Sequence, residues 1–441
     1  MNSSRKKGLA LLGALVFAAG VPGLVPQAPL GMGAPVAMAA EEPVEGAPLA
    51  SVAVDPVLRQ LGSYRRTYEN EVYDNGQMML QRRRTEIHLS DGDNRSMLSG
   101  AHFPNLKAAL DRFNGQEKAE SSARAANLKE EAQMEFLARE GRGFHAYTDF
   151  QDIVLRRADT LALSFLATYT GYTGGAHGSF NVRGINFDAV SGEELALSDV
   201  MNVSENLSQA VIEALRAKYQ PAAFFDSMEE TVTKEIAEGT VCWVLEPRGV
   251  TFFFNQYDIA PYASGLLSAT ILYDERPGFF REKYNRGPAS YGTYLLPGYE
   301  AEVVLRDSPD GHHDKLMVSD YDGKIRIDLN GMAYEDEYRA SEVVPVLVHR
   351  GDGRNFLYVD CLLAAKGERE MRVYDLNGGR PVRTMVRDYT FQRPFFGSGE
   401  GFTREWLLTD PYEFRIELSD NRDGPKTHVV QMDETGQISF G

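Results

Sequence analysis

Leu161-Ala162-Leu163-Ser164-Phe165-Leu166-Ala167-Thr168-Tyr169-Thr170-Gly171-Tyr172-Thr173-Gly174-Gly175-Ala176-His177-Gly178 decides how the first half of this chain is read. It starts as an apolar strand and ends in a loop of closely spaced glycines around one histidine. Glycine permits positive φ or a close backbone approach, so a sharply shaped loop leaves a strand here. A second stretch repeats the arrangement. Val250-Thr251-Phe252-Phe253-Phe254 reads as a strand and runs into Tyr257-Asp258-Ile259-Ala260-Pro261-Tyr262-Ala263-Ser264-Gly265, where a proline fixes the chain between tyrosines. Neither segment holds a nucleophile–base pair or a full metal-ligand set. Both read as architecture with a recognition surface.

Outward from these two stretches the elements alternate. Tyr64, Tyr68, Val72, Tyr73, Met79 and Ile87 recur in an alternating pattern that predicts paired strands, with Asn75-Gly76 as a tight hairpin turn. Phe103-Pro104 opens a long helix carried by Leu106, Leu110, Phe113, Leu128, Ala132, Phe136 and Leu137, and Gly141-Arg142-Gly143 ends it. Strands return at 144–147, 153–155 and 161–169, and 187–195 reads as strand–turn–strand through Ser191-Gly192. Helices follow over 205–219 and 225–238, the second closed by Gly239. Strands at 241–245 and 250–254, about Pro247-Arg248-Gly249, and at 266–272 complete an α+β module with an antiparallel sheet faced by helices on one side. Past the Gly/Tyr/Pro-rich text of 277–297, turn signals at Asp310-Gly311, Asp322-Gly323, Asp352-Gly353, Asn377-Gly378-Gly379, Asp423-Gly424 and Glu434-Thr435-Gly436 separate alternating runs. That part reads as a separate all-β domain over 295–441, a sandwich or blade-like hairpins.

The two motifs carry a resemblance. Tyr172 to Gly178 leads on to Asn186-Phe187-Asp188, Ser191-Gly192-Glu193-Glu194-Leu195 and Leu197-Ser198-Asp199-Val200, and Tyr257 to Gly265 follows. The whole of 57–286 resembles the extracytoplasmic module of RsiV-type anti-sigma factors, also found in the N-terminal region of PdaC-type peptidoglycan deacetylases. The resemblance implies a cell-envelope module, which in RsiV-type proteins senses lysozyme by binding it. The chain departs from both relatives. Residues 295–441 carry no metal-binding Asp with a His-x-x-x-His pair, so deacetylase activity is not carried over. Residues 1–39 are too short for a sigma-binding segment and a membrane helix, so sigma control is not carried over either.

With 441 residues the chain exceeds one ordinary core, and its 43 % apolar and 25 % charged residues are those of a globular protein. Arg5-Lys6-Lys7, the apolar Leu9 to Ala19 and Ala37-Met38-Ala39 read as a cleavable signal peptide over 1–39, followed by a Pro/Ala/Glu-rich linker over 40–56. No later run is long enough to span a bilayer. The expected location is periplasmic, extracellular or otherwise in the cell envelope. Cleavage near Ala39 removes three positive charges and no acid, taking the formal charge from −17 to −20. That field disfavours nucleic acid and speeds encounter with a basic partner such as a lysozyme-like protein; solubility explains it equally. Cys242 and Cys361 fall in different strand-like stretches, which predicts two buried thiols.

His177 is the one candidate for acid–base chemistry, and nothing adjacent in sequence serves as its nucleophile or orienting group. The alternative is an imidazole that ties the glycine loop to backbone. In Asp310-Gly311-His312-His313-Asp314 adjacent histidines on an extended chain point to opposite faces, so the segment reads as a polar hairpin tip. Asp320-Tyr321-Asp322-Gly323 fails as a calcium loop, because aligning Gly323 puts Val318 and Leu329 where carboxylates belong. No catalytic, metal or cofactor residue is therefore assigned. The ligand-binding candidates are Thr173, Gly174, Gly175, His177, Tyr257, Pro261 and Tyr262. The ligands expected are a lysozyme-like protein or peptidoglycan. A secreted cell-wall hydrolase using His177 and an envelope scaffold are the competing readings.

Overall fold

In a computed structural model of the chain, residues 57–92, 97–305, 314–321, 324–337, 342–363, 368–389, 401–420 and 424–440 are described. The segments read as a signal peptide (1–39) and a linker (40–56), the turn signals at Asp310-Gly311 and Asp322-Gly323 and the segment through His312-His313 lie outside them, as does Asp423.

The strands of the first part are β1 (Gln60–Leu61), β2 (Ser63–Asp74), β3 (Gln77–Leu89), β4 (Met97–Leu98), β5 (Tyr147–Ala158), β6 (Ala162–Tyr172), β7 (Ser179–Asp188), β8 (Cys242–Leu245), β9 (Gly249–Phe254) and β10 (Leu267–Leu272). Its helices are α1 (Pro104–Ala138), α2 (Leu197–Val200), α3 (Glu205–Lys218) and α4 (Met228–Glu238). Local chemistry sets their ends. Asn75 and Gly76 both take positive φ, 49° and 81°, as the two-residue β2–β3 hairpin requires. Pro104 occupies the first turn of α1, where its missing N–H costs nothing. The Ser204 hydroxyl accepts from Leu207 N at 3.4 Å and caps α3, and Gly239 closes α4 at φ 69°.

The module is α+β as expected, its strands mostly antiparallel and arranged in two main sheets. One runs β2-β3-β5-β6-β7, antiparallel except for β3–β5, which pair parallel because α1 provides the crossover between them. Leu106, Leu110 and Phe113 of α1 pack into a core with Phe165 and Phe187, the Phe113 and Phe165 rings meeting edge to face at 5.1 Å. Asn114 on the same helix bonds both Ile87 N (3.2 Å) and Ile87 O (2.9 Å), serving β3 where it has left β5. The second sheet, β10-β9-β8, carries α3 and α4 over a core that includes Leu207, Val211, Leu215, Val232 and Ile236. The sheets stay distinct because side chains bridge them where strand pairing would otherwise run on. Asn255 bonds Val182 N and O on β7 at 2.7 and 3.2 Å, and Asn186 of β7 donates to Trp243 O on β8 at 3.0 Å. Gly184 sits where a Cβ would come within 1.8 Å of Trp243 O, so only glycine allows the two sheets to cross there.

From Tyr291 onward every regular element among the described residues is a strand, as the turn signals predict. A five-stranded sheet (order Tyr291–Tyr294, Glu342–His349, Asn355–Leu363, Glu368–Asp375, Val382–Tyr389) forms the middle layer. Its Leu347, Leu357, Val359 and Cys361 pack on a four-stranded sheet through Leu316, Val318, Ile325 and Ile327. Its Val346, Val348, Phe356 and Tyr358 join Ile87, Ile153 and Leu155 of the first part and Phe414, Ile416 and Val430 of the last hairpins in one core.

Residues 55–441 form one compact unit, and the strand Gly401–Trp406 pairs antiparallel with β2, giving the first sheet its sixth strand. A buried charge cluster marks the junction. Glu405 accepts from Arg65 at 2.5 Å and lies 3.0 Å from Arg369, which also pairs with Asp360. Cys242 and Cys361 are both free thiols, Cys361 buried and Cys242 half-buried.

Candidate functional site

β6 and β7 are joined by the first motif loop, and β9 runs into the second. Both loops emerge at the same end of the module, and they meet. The His177 and Tyr262 rings stack with centroids 4.0 Å apart and an interplanar angle of 27°. The Tyr262 hydroxyl donates to Gly178 O at 2.9 Å, tying the loops together beneath the stack. Tyr257 lies 6.0 Å from Tyr262, ring to ring.

Each loop is shaped by the residues that sequence singled out. Gly174 and Gly175 take φ of 88° and 92°, the left-handed region closed to most side chains. The Tyr172 hydroxyl donates to Gly175 O at 3.3 Å. A Cβ on Gly174 would sit 3.3 Å from the Glu135 carboxylate of α1, which in turn accepts from the Tyr147 hydroxyl at 2.6 Å and pairs with Arg139. Burial raises the Tyr147 phenol, the Glu135 hydrogen bond adds to it, and together they push it up to about 12. In the second loop Pro261 precedes a single tight turn, Tyr262–Ser264, that Gly265 ends at φ 71°. Asp258 Oδ2 accepts from Asn255 N at 2.7 Å, and Asn255 holds Val182, so this loop is pinned to β7.

Tyr257 is the outlier. It takes φ 71°, unusual for an aromatic residue, and remains 61 % exposed. A bulky side chain held in a costly backbone state and turned to solvent is the pattern of a contact residue rather than a core residue. Tyr262 is half-buried and holds its loop as well as facing out. Of the ligand-binding candidates, the fold brings His177 and Tyr262 into contact, with Gly178 O holding the Tyr262 hydroxyl. Thr173 is exposed, and Gly174 leans toward α1 instead. Glu135, and the Phe180–Tyr299 stack at 5.3 Å beside Gly265, were not singled out from sequence. No local pattern announces them, because they arrive from α1 and from beyond β10.

The chemistry available here is that of contact. The His177 Nδ1 lies 3.0 Å from Gly178 O, and that carbonyl is its hydrogen-bond partner among the described residues. No group of three or more His, Cys, Asp or Glu is placed to hold a metal ion among the described residues. No helix there is long and apolar enough to cross a membrane.

No curated protein matches the chain. Among solved structures, a DUF3298 family member from Bacteroides fragilis is similar at 18 % identity and TM-score 0.37, covering 51 % of this chain and 96 % of its own. A DUF3298 family protein from Pseudomonas aeruginosa is similar at 16 % identity and TM-score 0.33, covering 53 % and 98 %. The stretch from α2 to just past β10, which contains the second motif and follows the first, matches the family described as "Protein of unknown function (DUF3298)" over residues 197–274.

Proposed function

We propose that this protein is an exported, non-catalytic cell-envelope protein whose α+β module binds a lysozyme-like protein or peptidoglycan through the corner formed by Tyr257, Tyr262 and His177. The observation that carries the reading is the His177–Tyr262 stack, which joins two loops far apart in sequence under an exposed Tyr257. Tyrosine offers apolar area and one hydrogen bond at small entropic cost, and loops on a rigid sheet are the usual place for recognition. The net charge of −17 adds attraction for a basic partner. A hydrolase using His177 would need a nucleophile or an oriented water at the imidazole, and the one hydrogen-bond partner of His177 among the described residues is a backbone carbonyl at Nδ1.

The test is retention of purified residues 40–441 on immobilised lysozyme and on cell-wall sacculi at low salt, alongside Tyr257→Ala and Tyr262→Ala. Retention on one of the two, weakened in both variants, supports the reading and names the ligand. No retention on either removes both ligands and leaves the envelope-scaffold reading. Retention unchanged in the variants moves the site elsewhere on the module.

A further inference from the structure

A trough of about 1230 Å³ opens beside the aromatic corner. It runs along β7 from Val182 to Phe187, and it is lined by α1, by the turn 191–196, by the end of α4 with the start of β8, and by Asn255 and Asp258 next to Tyr257. Pockets for small ligands hold roughly 300–1,000 Å³, so this one is on the scale of a short peptide. Its charges come from every wall: Arg112 and Arg183 from α1 and β7, Glu193 and Glu194 from the turn after β7, and Glu235 and Asp258 from α4 and the turn after β9.

Their pairing is uneven. Arg183 is engaged by Glu117 at 2.6 Å. Arg112, Glu235 and Asp258 form no ion pair among the described residues, although all three face the same cavity. Asp258 has the Asn255 amide as its hydrogen-bond donor and Glu235 has no side-chain partner there. Burial raises both carboxyls above the ordinary range, and the Asp258 charge adds to the effect at Glu235. Partly desolvated carboxylates without a cation gain from an incoming ammonium, as a free guanidinium gains from an incoming carboxylate. The outer edge of β7 is already bonded at Val182 by the Asn255 side chain and at Asn186 O by Leu195 N, so a guest here is recognised by its side chains and not as an added strand.

We propose that the trough binds a short peptide carrying an amine and a carboxylate a few residues apart, the amine between Glu235 and Asp258 and the carboxylate at Arg112. The site is distinct from the aromatic corner and does not rest on its reading.

Titration calorimetry of purified residues 40–441 at low salt tests this with the end-blocked pentapeptide Ala-Glu-Ala-Lys-Ala, set against Ala-Gln-Ala-Lys-Ala and Ala-Glu-Ala-Gln-Ala. The dipolar peptide is expected to bind at least tenfold more tightly than either analogue. Arg112→Gln should abolish the advantage of the Glu-bearing peptide, and Glu235→Gln with Asp258→Asn that of the Lys-bearing one. Tyr262→Ala should change neither, which separates this site from the aromatic corner. Arg112 is exposed, so its variant keeps the fold and decides the matter even if the double variant does not. No saturable heat from any of the three peptides, or affinities unchanged in Arg112→Gln, overturns the proposal.

Discussion

At the junction where Gly401–Trp406 joins the first sheet, every charge that enters the interior meets its opposite. Arg65, Glu405, Arg369 and Asp360 close a cluster in which each partner satisfies another. In the trough along β7 the placement differs, and Arg112, Glu235 and Asp258 form no ion pair among the described residues. The two regions use the same residue types to different ends. Closed pairs hold two parts of a chain together; open ones cost stability and leave a surface that a guest can complete.

The largest effect should come from breaking the closed region. Glu405→Gln leaves Arg65 with Glu342, at 3.8 Å, as its carboxylate and Arg369 with Asp360, and removing one partner of a buried pair costs about 3–5 kcal/mol. A urea denaturation midpoint that hardly moves would show that the cluster does not hold the strand. The pH dependence carries a sign as well. Burial pushes the Glu405 carboxyl up, but the Arg369 and Arg65 charges outweigh it and hold it at about 2 against an ordinary 4.5. A depressed carboxyl contributes stability above its unfolded pKa, so this contribution is full above about 4.5 and is lost as pH falls toward 2. Acid titration of wild type against Glu405→Gln should show the two curves converging over that window.

Next is the crossing that separates the two regions. Gly184→Ala drives a Cβ into Trp243 O, which is backbone and cannot swing aside, and overpacking of this kind costs about 1–3 kcal/mol. Calorimetric melting should show the loss. An unaltered melting temperature would mean that the sheets slide freely past each other. At the aromatic corner, Tyr262→Ala should weaken ligand binding by about 1–3 kcal/mol with little change in melting temperature. A large thermal loss with binding intact would assign the stack to the fold alone.

The smallest effect belongs to the open region. A carboxyl whose folded pKa is raised is less stable in its charged form when folded, so Glu235→Gln should stabilise the protein slightly at pH 7. The gain should shrink as pH falls through the raised pKa and vanish below the ordinary one. The charges acting on Glu235 are Asp258, Lys234 and Glu238, so the same comparison in Asp258→Asn should show a smaller gain. Melting curves between pH 4 and 7 check the sign; a destabilised Glu235→Gln at pH 7 would contradict it.

The elements themselves were legible because their causes are local. Asn75-Gly76 names its turn, Gly239 ends its helix, and the apolar spacing of Leu207, Val211 and Leu215 names the face that α3 buries. The motif glycines 174 and 175 announced their positive φ, and the tyrosine–proline motif announced a rigid loop. What escaped was neighbourhood. An alternating strand declares which residues share a face but not which strand lies beside it. Nothing in Gly401–Trp406 therefore points to β2, although Arg65 and Glu405 meet across 340 residues of chain. For the same reason the β3–β5 parallel pair, the division into two sheets at Gly184 and the trough left between them were not readable.

By itself the sequence determined the α+β character of the first part, the all-strand character of the second, the shapes of both motif loops and the acidic charge, since each follows from residues within a few positions of one another. Only tertiary structure decided that the parts share a sheet and a core, that His177 rests on Tyr262, and which buried charges are answered. Those outcomes depend on which of many chemically similar strands and charges come together. That choice is settled by the packing of the whole core, to which no short stretch of sequence holds the key.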